Sequence, residues 1–362
     1  MKRYHLTSEE IQVLKILYKI RKAVSVDEIA SKTQLYSDIL TLIEWLLNKG
    51  YVEEPKLGYY KITMEGKKLL IESKELLKGS IIGRRYVLQE FLGEGAYGQV
   101  WKALDTKVEE RVVAVKLIHE KLRGFERLKK EANALAKAQG KPDSILVFHD
   151  VGRDTKGVGK GGWLVTEFIE APTLHRYLVN MAIKRRWLSF EEAKVIIERC
   201  LEAIVFAHSK NVVHGDIKPA NIFLLGKNKI KLGDFGVARI LKKAEKDERK
   251  TYPSGYKRRL GSITYMAPEV LKGETPSVQS DLFSVGILAY LLSTGQHPFL
   301  HESGLISIPE LIKNEEYKPP QPGRLKRDIP KKHGDIIMNL LEKKKDKRKY
   351  KDAETVLNEW RG

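Results

Sequence analysis

The sequence lacks most of what a secreted or membrane protein carries. One cysteine, Cys200, in 362 residues excludes a disulfide framework and a thiolate metal site built within the chain. No apolar run approaches the roughly 20 residues that a membrane span needs. The opening Met1-Lys2-Arg3-Tyr4-His5 leads into an amphipathic pattern rather than a signal core, so a cytoplasmic protein is expected. Acidic residues are short as well, 47 against 66 Lys and Arg, a net charge of +19. What is plentiful is globular: 42% hydrophobic and 31% charged residues are too rich in apolar side chains for disorder. The length exceeds one typical domain, and two are expected.

The charge is uneven. Residues 1–78 hold 14 basic and 11 acidic side chains, a net of +3, and the remainder carries 52 and 36, a net of +16. Such an excess reads either as a solvated, salt-laced surface or as attraction to an acidic or phosphorylated partner.

The first 78 residues have their own grammar. Thr7-Ser8-Glu9-Glu10 opens a helix with a hydroxyl cap and acidic first turn, and Ile11, Leu14, Leu17 and Tyr18 give it a stripe. Ser25-Val26-Asp27-Glu28 is a capping box before a short second helix. A third helix spans about Ser37 to Asn48, with Ile39, Leu42, Ile43, Leu46 and Leu47 inward and Gly50 at its end. Tyr51 to Glu54, a turn around Pro55 to Gly58, and Tyr59 to Ile62 form a hairpin, and Thr63 caps a last helix through Leu77. This order resembles a winged helix-turn-helix domain. Its third helix offers Asp38, Glu44 and only Lys49, a poor set for phosphate contacts or base reading. Protein docking or packing is therefore favoured over DNA, which Lys56 and Lys61 of the wing keep open.

From Tyr86 the pattern turns to short strands. Val87 to Leu92 is followed by Gly93-Glu94-Gly95-Ala96-Tyr97-Gly98-Gln99-Val100, with glycines spaced to bring backbone N–H groups close to phosphate oxygens. A dinucleotide fold would run on into a helix, whereas here Val100 to Ala103 and Val112 to Lys116 continue as strands. Lys116 ends its strand either as a snorkelling edge lysine or as a cation for nucleotide phosphates. A helix over Phe125 to Gln139 places Leu128, Glu131 and Leu135 on one face. A carboxylate on a buried face needs a partner, and Glu131 is the natural one for Lys116.

His214-Gly215-Asp216-Ile217-Lys218-Pro219-Ala220-Asn221 follows a helical stretch from Glu191 to Ser209, and Asp234-Phe235-Gly236 and Ala267-Pro268-Glu269 come after. In that order these motifs resemble the eukaryotic-type protein kinases from Tyr86 to the C-terminus. The resemblance implies an α+β, bilobal fold: a small antiparallel N-lobe sheet with one main helix (86–168) and a mainly helical C-lobe (170–362), preceded by the winged helix (1–78). It implies transfer of the ATP γ-phosphate to serine or threonine of a protein substrate, with Mg²⁺ on Asn221 and Asp234, hard oxygen ligands. Asp216 would take or orient the hydroxyl proton, and Lys218, the mark of serine/threonine enzymes, would stabilise the transferred group. Leu92 and the glycine loop, Val100 and Ala114 would cover the nucleotide, with Phe223 beneath the adenine. Thr166 would be the gatekeeper, and Glu167, Phe168 and Ile169 the hinge. Asp281 would hold the catalytic loop's backbone, and Glu269 would pair with Arg348. Cys200, on the apolar stripe of its helix, reads as a buried structural thiol.

Two places depart from the family. Gly215 replaces the arginine that binds an activation-loop phosphate, so phosphorylation at Thr251, Ser254, Ser262 or Thr264 is not expected to be an obligatory switch. Residues 239–259 carry nine basic and three acidic side chains, a net of +6, either a solvated tract or a surface steering an acidic or nucleic-acid-bound substrate. RIO-type kinases also join a winged helix to a kinase core but lack the long activation segment and the Ala-Pro-Glu motif. A pseudokinase scaffold is opposed by the intact Lys116, Asp216, Asn221 and Asp234, and a DNA-bound regulator remains the other alternative.

Overall fold

The computed structural model describes residues 13–14, 16–18, 20, 22–33, 39–56, 59–67, 78–95, 98–109, 111–118, 124–140, 143–154, 161–226, 228–235, 239–240, 263–300 and 306–362. Contacts divide the chain into two compact units, one of residues 1–125 with 152–163, the other of 126–151 with 164–362.

The first unit begins with helical residues between 13 and 20, then β1 (Val24–Ser25), α1 (Val26–Thr33), α2 (Ile39–Asn48), β2 (Val52–Lys56) and β3 (Tyr59–Ile62). The strands form one antiparallel sheet in the order β1-β3-β2. Leu14, Leu17, Ile29, Ile43, Leu46, Val52 and Ile62 meet in a single core, so the apolar stripes of the helices and the inward face of the hairpin close on each other. Gly50, at φ +70°, ends α2 as expected: its N–H and that of Tyr51 reach back to the carbonyls of Leu47 and Leu46. Thr63 Oγ1 accepts from Gly66 N–H at 3.1 Å and so caps the helix starting there. The continuation of that helix over 68–77, and the opening helix cap at Thr7, lie outside the described residues.

Two details differ from expectation. β1 pairs with β3, a two-residue strand too short to give a sequence signal. Pro55 lies within β2 rather than in the turn. It is tolerated because β2 is an edge strand and its pairing shifts register between Glu53 and Lys56, where a missing N–H costs no ladder bond.

The same unit then carries β4 (Ile81–Ile82), β5 (Tyr86–Gly95), β6 (Gly98–Asp105) and β7 (Val112–Ile118), with β5 antiparallel to β4, β6 to β5 and β7 to β6. In β7 the buried Val113, Val115 and Leu117 alternate with half-buried Val112, Ala114 and Lys116, the period of a sheet with two unlike faces.

The second unit is mainly helical. It contains most of α3 (Gly124–Lys137) and the strands β8 (Phe148–Gly152) and β9 (Trp163–Glu167). α4 (Leu174–Ile183), α5 (Phe190–Ser209), β10 (Val212–Val213), β11 (Ile222–Gly226), β12 (Lys229–Leu232) and β13 (Arg239–Ile240) follow. The C-terminal part is α6 (Pro268–Leu271), α7 (Val278–Thr294), α8 (Ile308–Lys313), α9 (Pro322–Leu325), α10 (Lys331–Leu340) and α11 (Ala353–Arg361). α5 starts one residue before the expected Glu191, because Ser189 caps it: its Oγ accepts from Glu192 N–H while the Glu192 carboxylate accepts from Ser189 N–H. α7 is apolar on nearly every side and accordingly buried along almost its whole length, packed by α5 and α10. One sheet-rich and one helix-rich unit agree with the α+β class read from the sequence. Among the described residues no helix is long and apolar enough to cross a membrane.

Candidate active site

A buried helix such as α7 has no use for a charge unless something bonds it. Asp281 is 1% exposed in its first turn. Its Oδ2 accepts the His214 backbone N–H at 2.9 Å, its Oδ1 accepts that of Gly215 at 2.8 Å, and the His208 Nε2–H reaches Oδ2 at 2.9 Å. This carboxylate thus fixes the start of the loop after β10, as the sequence implied. Gly215 sits at φ +79°, a conformation that glycine adopts without steric cost and an arginine would not.

The His214 side chain ties the loop to the next segment. Its Nε2–H donates to the Gly233 carbonyl at 3.0 Å, and its Nδ1 accepts the Asp216 N–H at 3.1 Å, which fixes the neutral tautomer. The ring of Phe235, fully buried, lies 4.5 Å from the imidazole centroid. Gly233 N–H in turn donates to the Asn221 carbonyl at 2.9 Å. Two segments distant in sequence are thereby laced side by side.

On this platform the sequence-expected residues Asp216, Lys218 and Asn221 converge. Lys218 Nζ is 2.6 Å from Asp216 Oδ2, and Asn221 Nδ2 donates to the Asp216 carbonyl at 2.7 Å and to Oδ2 at 3.1 Å. Burial pushes the Asp216 carboxyl up; Lys218 opposes the rise and the negative charge of Asp234 adds to it. A carboxylate of raised basicity is suited to accept a hydroxyl proton. Asp234 is solvent-exposed at φ +58°, in the left-handed region where non-glycine residues gather at functional sites. Asn221 commits its N–H groups to Asp216, so its amide oxygen and the Asp234 carboxylate are hard donors that fit Mg²⁺.

Thr166 is buried in β9, and its hydroxyl donates to the Glu167 carbonyl at 3.2 Å. Glu167 N–H donates to the Val147 carbonyl at 2.9 Å, and Phe168 and Ile169 follow half-buried. Phe223 is half-buried on β11, and a Cβ on Gly233 would come within 3.2 Å of its ring. Glu131 is 3% exposed in α3, flanked by buried Leu128 and Leu135, as its spacing predicted.

In the first unit, Val100 pairs in register with Lys116 and Lys102 with Ala114, so Val100, Ala114 and Lys116 share one face of the sheet. Leu92 is exposed on β5, three residues before its end. Gly93 pairs with Val100 and Gly95 with Gly98, so the strands run into the glycine loop itself. Ala96, Tyr97 and Gly236, the side chain of Glu94, and the basic segment from 241 to 262 lie outside the described residues.

The sequence reading overlooked two anchors of the stretch just before Ala267. Ser284 Oγ donates to the Tyr265 carbonyl at 2.7 Å and His297 Nε2–H to the Thr264 carbonyl at 3.0 Å. The signal for Ser284 was available, a polar residue on a helix apolar all round. His297 in a loop gave none.

A sequence model of the protein kinase domain matches residues 86–359. The chain is 28% identical over 285 residues to a probable serine/threonine-protein kinase, PknB, of Lactococcus lactis, covering 78% of this chain and 42% of that protein. It is 30% identical over 284 residues to a probable serine/threonine-protein kinase of Clostridium acetobutylicum, 78% and 40% of the two chains. It is 31% identical over 271 residues to the serine/threonine-protein kinase PknA of Mycobacterium tuberculosis, 73% and 58%. The chain spans about 40% of the length of the Lactococcus and Clostridium relatives. With the motifs in order, the loop built on Asp281 and a match over most of its length, the chain belongs to the protein kinase family.

Proposed function

We propose that this chain transfers the γ-phosphate of ATP to serine or threonine hydroxyls of a protein substrate. The observation that carries the reading is the cluster of Asp216, Lys218 and Asn221, held in contact at 2.6 to 3.1 Å. Phosphoryl transfer asks for positioning and charge neutralisation more than for a strong nucleophile. Asp216 orients the acceptor hydroxyl and takes its proton; Lys218, on the same carboxylate, offsets negative charge at the transferred group. Asn221 and Asp234 are the residues that would hold Mg²⁺, which neutralises phosphate charge when bound. Gly93, Glu94, Gly95, Ala96, Tyr97, Gly98 and Lys116 are assigned to the phosphates. Leu92, Val100, Ala114 and Phe223 are assigned to the base, and Thr166, Glu167 and Ile169 to its edge.

Residues 1–78 are read as a winged helix serving protein docking or packing in preference to DNA reading, and 86–362 as the kinase domain. Gly215 offers no cation to an activation-loop phosphate, so phosphorylation there is not an obligatory switch. The basic stretch 239–259 favours an acidic acceptor. The test is incubation with γ-labelled ATP, Mg²⁺ and a generic protein acceptor beside Asp216→Ala. Label on serine or threonine that the variant loses supports the reading; equal label in both, or none with ATP still bound, overturns it.

A further inference from the structure

Lys231 stands out among the lysines. It is 5% exposed, on β12, although lysine is almost never buried without a partner. Its Nζ lies 2.5 Å from Glu167 Oε1 and 2.7 Å from Asp143 Oδ1. The same Glu167 oxygen accepts the Val147 N–H at 2.7 Å. Three stretches of the second unit therefore meet on one ammonium: the loop after α3, the end of β9 and the strand leading to Asp234.

The two partners are not equal. Asp143 is 72% exposed at its side chain, so solvent screens that arm, whereas Glu167 is 22% exposed and Lys231 6%. The Lys231–Glu167 bond is the sheltered one. Glu167 is also pinned at its backbone, through its N–H to Val147 and its carbonyl to the Thr166 hydroxyl. Removing Lys231 would leave a half-buried carboxylate with one backbone donor, and the chain around it would have to turn the charge toward water.

We propose that Lys231 is a positioning residue for the nucleotide: by clamping the Glu167 carboxylate it sets the orientation of the Glu167–Ile169 backbone that bonds the adenine. The inference rests on the kinase reading and adds a residue outside its motifs. It acts on nucleotide affinity, because among the described residues the ion pairs of Lys231 run to Glu167 and Asp143 and not to Asp216, Lys218 or Asn221.

The experiment compares full-length wild type with Lys231→Met, Lys231→Arg and Glu167→Gln, measuring ATP affinity by calorimetry and steady-state kcat and KM for ATP and for the protein acceptor. Lys231→Met is expected to weaken ATP binding and raise its KM about tenfold, with kcat and the acceptor KM within about twofold. Lys231→Arg keeps a cation at Glu167 and is expected to restore most of the affinity. Glu167→Gln, which no longer needs a cation, is expected to make affinity insensitive to a second Lys231→Met change. Unchanged ATP affinity in a folded Lys231→Met protein overturns the inference, and so does an equal fall in kcat and both affinities. If Lys231→Met does not fold, the Glu167→Gln pair decides by the same criterion. Wild type that binds no ATP defeats the underlying kinase reading, a result distinct from wild type and variant binding alike.

Discussion

Arg348 and Glu269, 79 residues apart, form a bidentate pair at 2.6 and 2.8 Å with both side chains almost wholly buried. The guanidinium also donates to the carbonyls of Glu342 and Gln279 and lies 5.1 Å over the Phe283 ring. Every edge of the cation is thus used, the condition under which a buried pair is tolerable. Arg348→Ala is expected to destabilise the protein by about 3–5 kcal/mol, because it strands the Glu269 carboxylate. Arg348→Lys is expected to recover little of this, since a point cation cannot reproduce the fork. Chemical denaturation of the full chain measures both; a loss under about 1 kcal/mol for the alanine variant would contradict the account.

Asp281 makes a prediction of a different kind, about rate. Asparagine at this position keeps one acceptor oxygen for two backbone N–H groups, those of His214 and Gly215. The loop carrying Asp216 then loses one of its fixings, and a displacement near 1 Å is worth about 10²-fold in rate. Asp281→Asn is expected to lower kcat by that order while ATP affinity stays within about twofold, since the nucleotide residues are elsewhere. Equal losses in both would show that the helix itself, not the loop, had been disturbed.

How far the sequence spoke depended on whether a residue's job was local. Lys116 was legible at the end of an alternating strand, because alternation fixes direction whatever the strand packs on, whereas only the register shows that Val100 shares its face. Glu131 was legible because a carboxylate between Leu128 and Leu135 on a helix has to be buried. Asp216, Lys218 and Asn221 were legible through ordered motifs, and their contacts follow from spacing within one tight loop. Lys231 was not legible: β12 reads as an ordinary alternating strand, and its partners come from residues 143 and 167. Pro55 misled because its tolerance depends on β2 being an edge strand, which only the sheet order reveals.

His297 sets an acid limit. Burial pushes its imidazole down to about 4, only partly offset by the bond to the Thr264 carbonyl. Nε2–H donates to that carbonyl while Nδ1 accepts the Phe299 N–H at 3.2 Å, so a second proton has no place to sit. The unfolded chain takes up this proton below about pH 6.5 and the folded one does not until about 4. Stability is therefore whole above about 6.5 and falls as pH drops toward 4, by up to about 1.4 kcal/mol per unit. Burial lowers the buried His333 in the same direction. Denaturation midpoints at pH 7 and pH 5 should separate, and His297→Gln should narrow the gap without closing it. A gap unchanged by that variant would remove His297 from the explanation.

The glycine loop contains two glycines needed for different reasons. A Cβ on Gly98 would lie 1.6 Å from the Leu117 carbonyl oxygen and 2.9 Å from the Ile118 Cα, both backbone atoms that cannot swing aside. A Cβ on Gly93 would meet nothing within 4 Å. Gly98 pairs in register with Ile118, so its missing side chain is what lets β6 and β7 approach there. Gly98→Ala must push the two strands apart and is expected to cost about 1–3 kcal/mol, the usual range for overpacking. Gly93→Ala is expected within about 0.5 kcal/mol of wild type, while ATP affinity falls if its bare backbone serves the phosphates. Denaturation and nucleotide titration of the two variants give opposite patterns under this account: a stability defect at Gly98, a binding defect at Gly93. Equal stability of the two would mean that the approach of β6 to Leu117 is not maintained in solution.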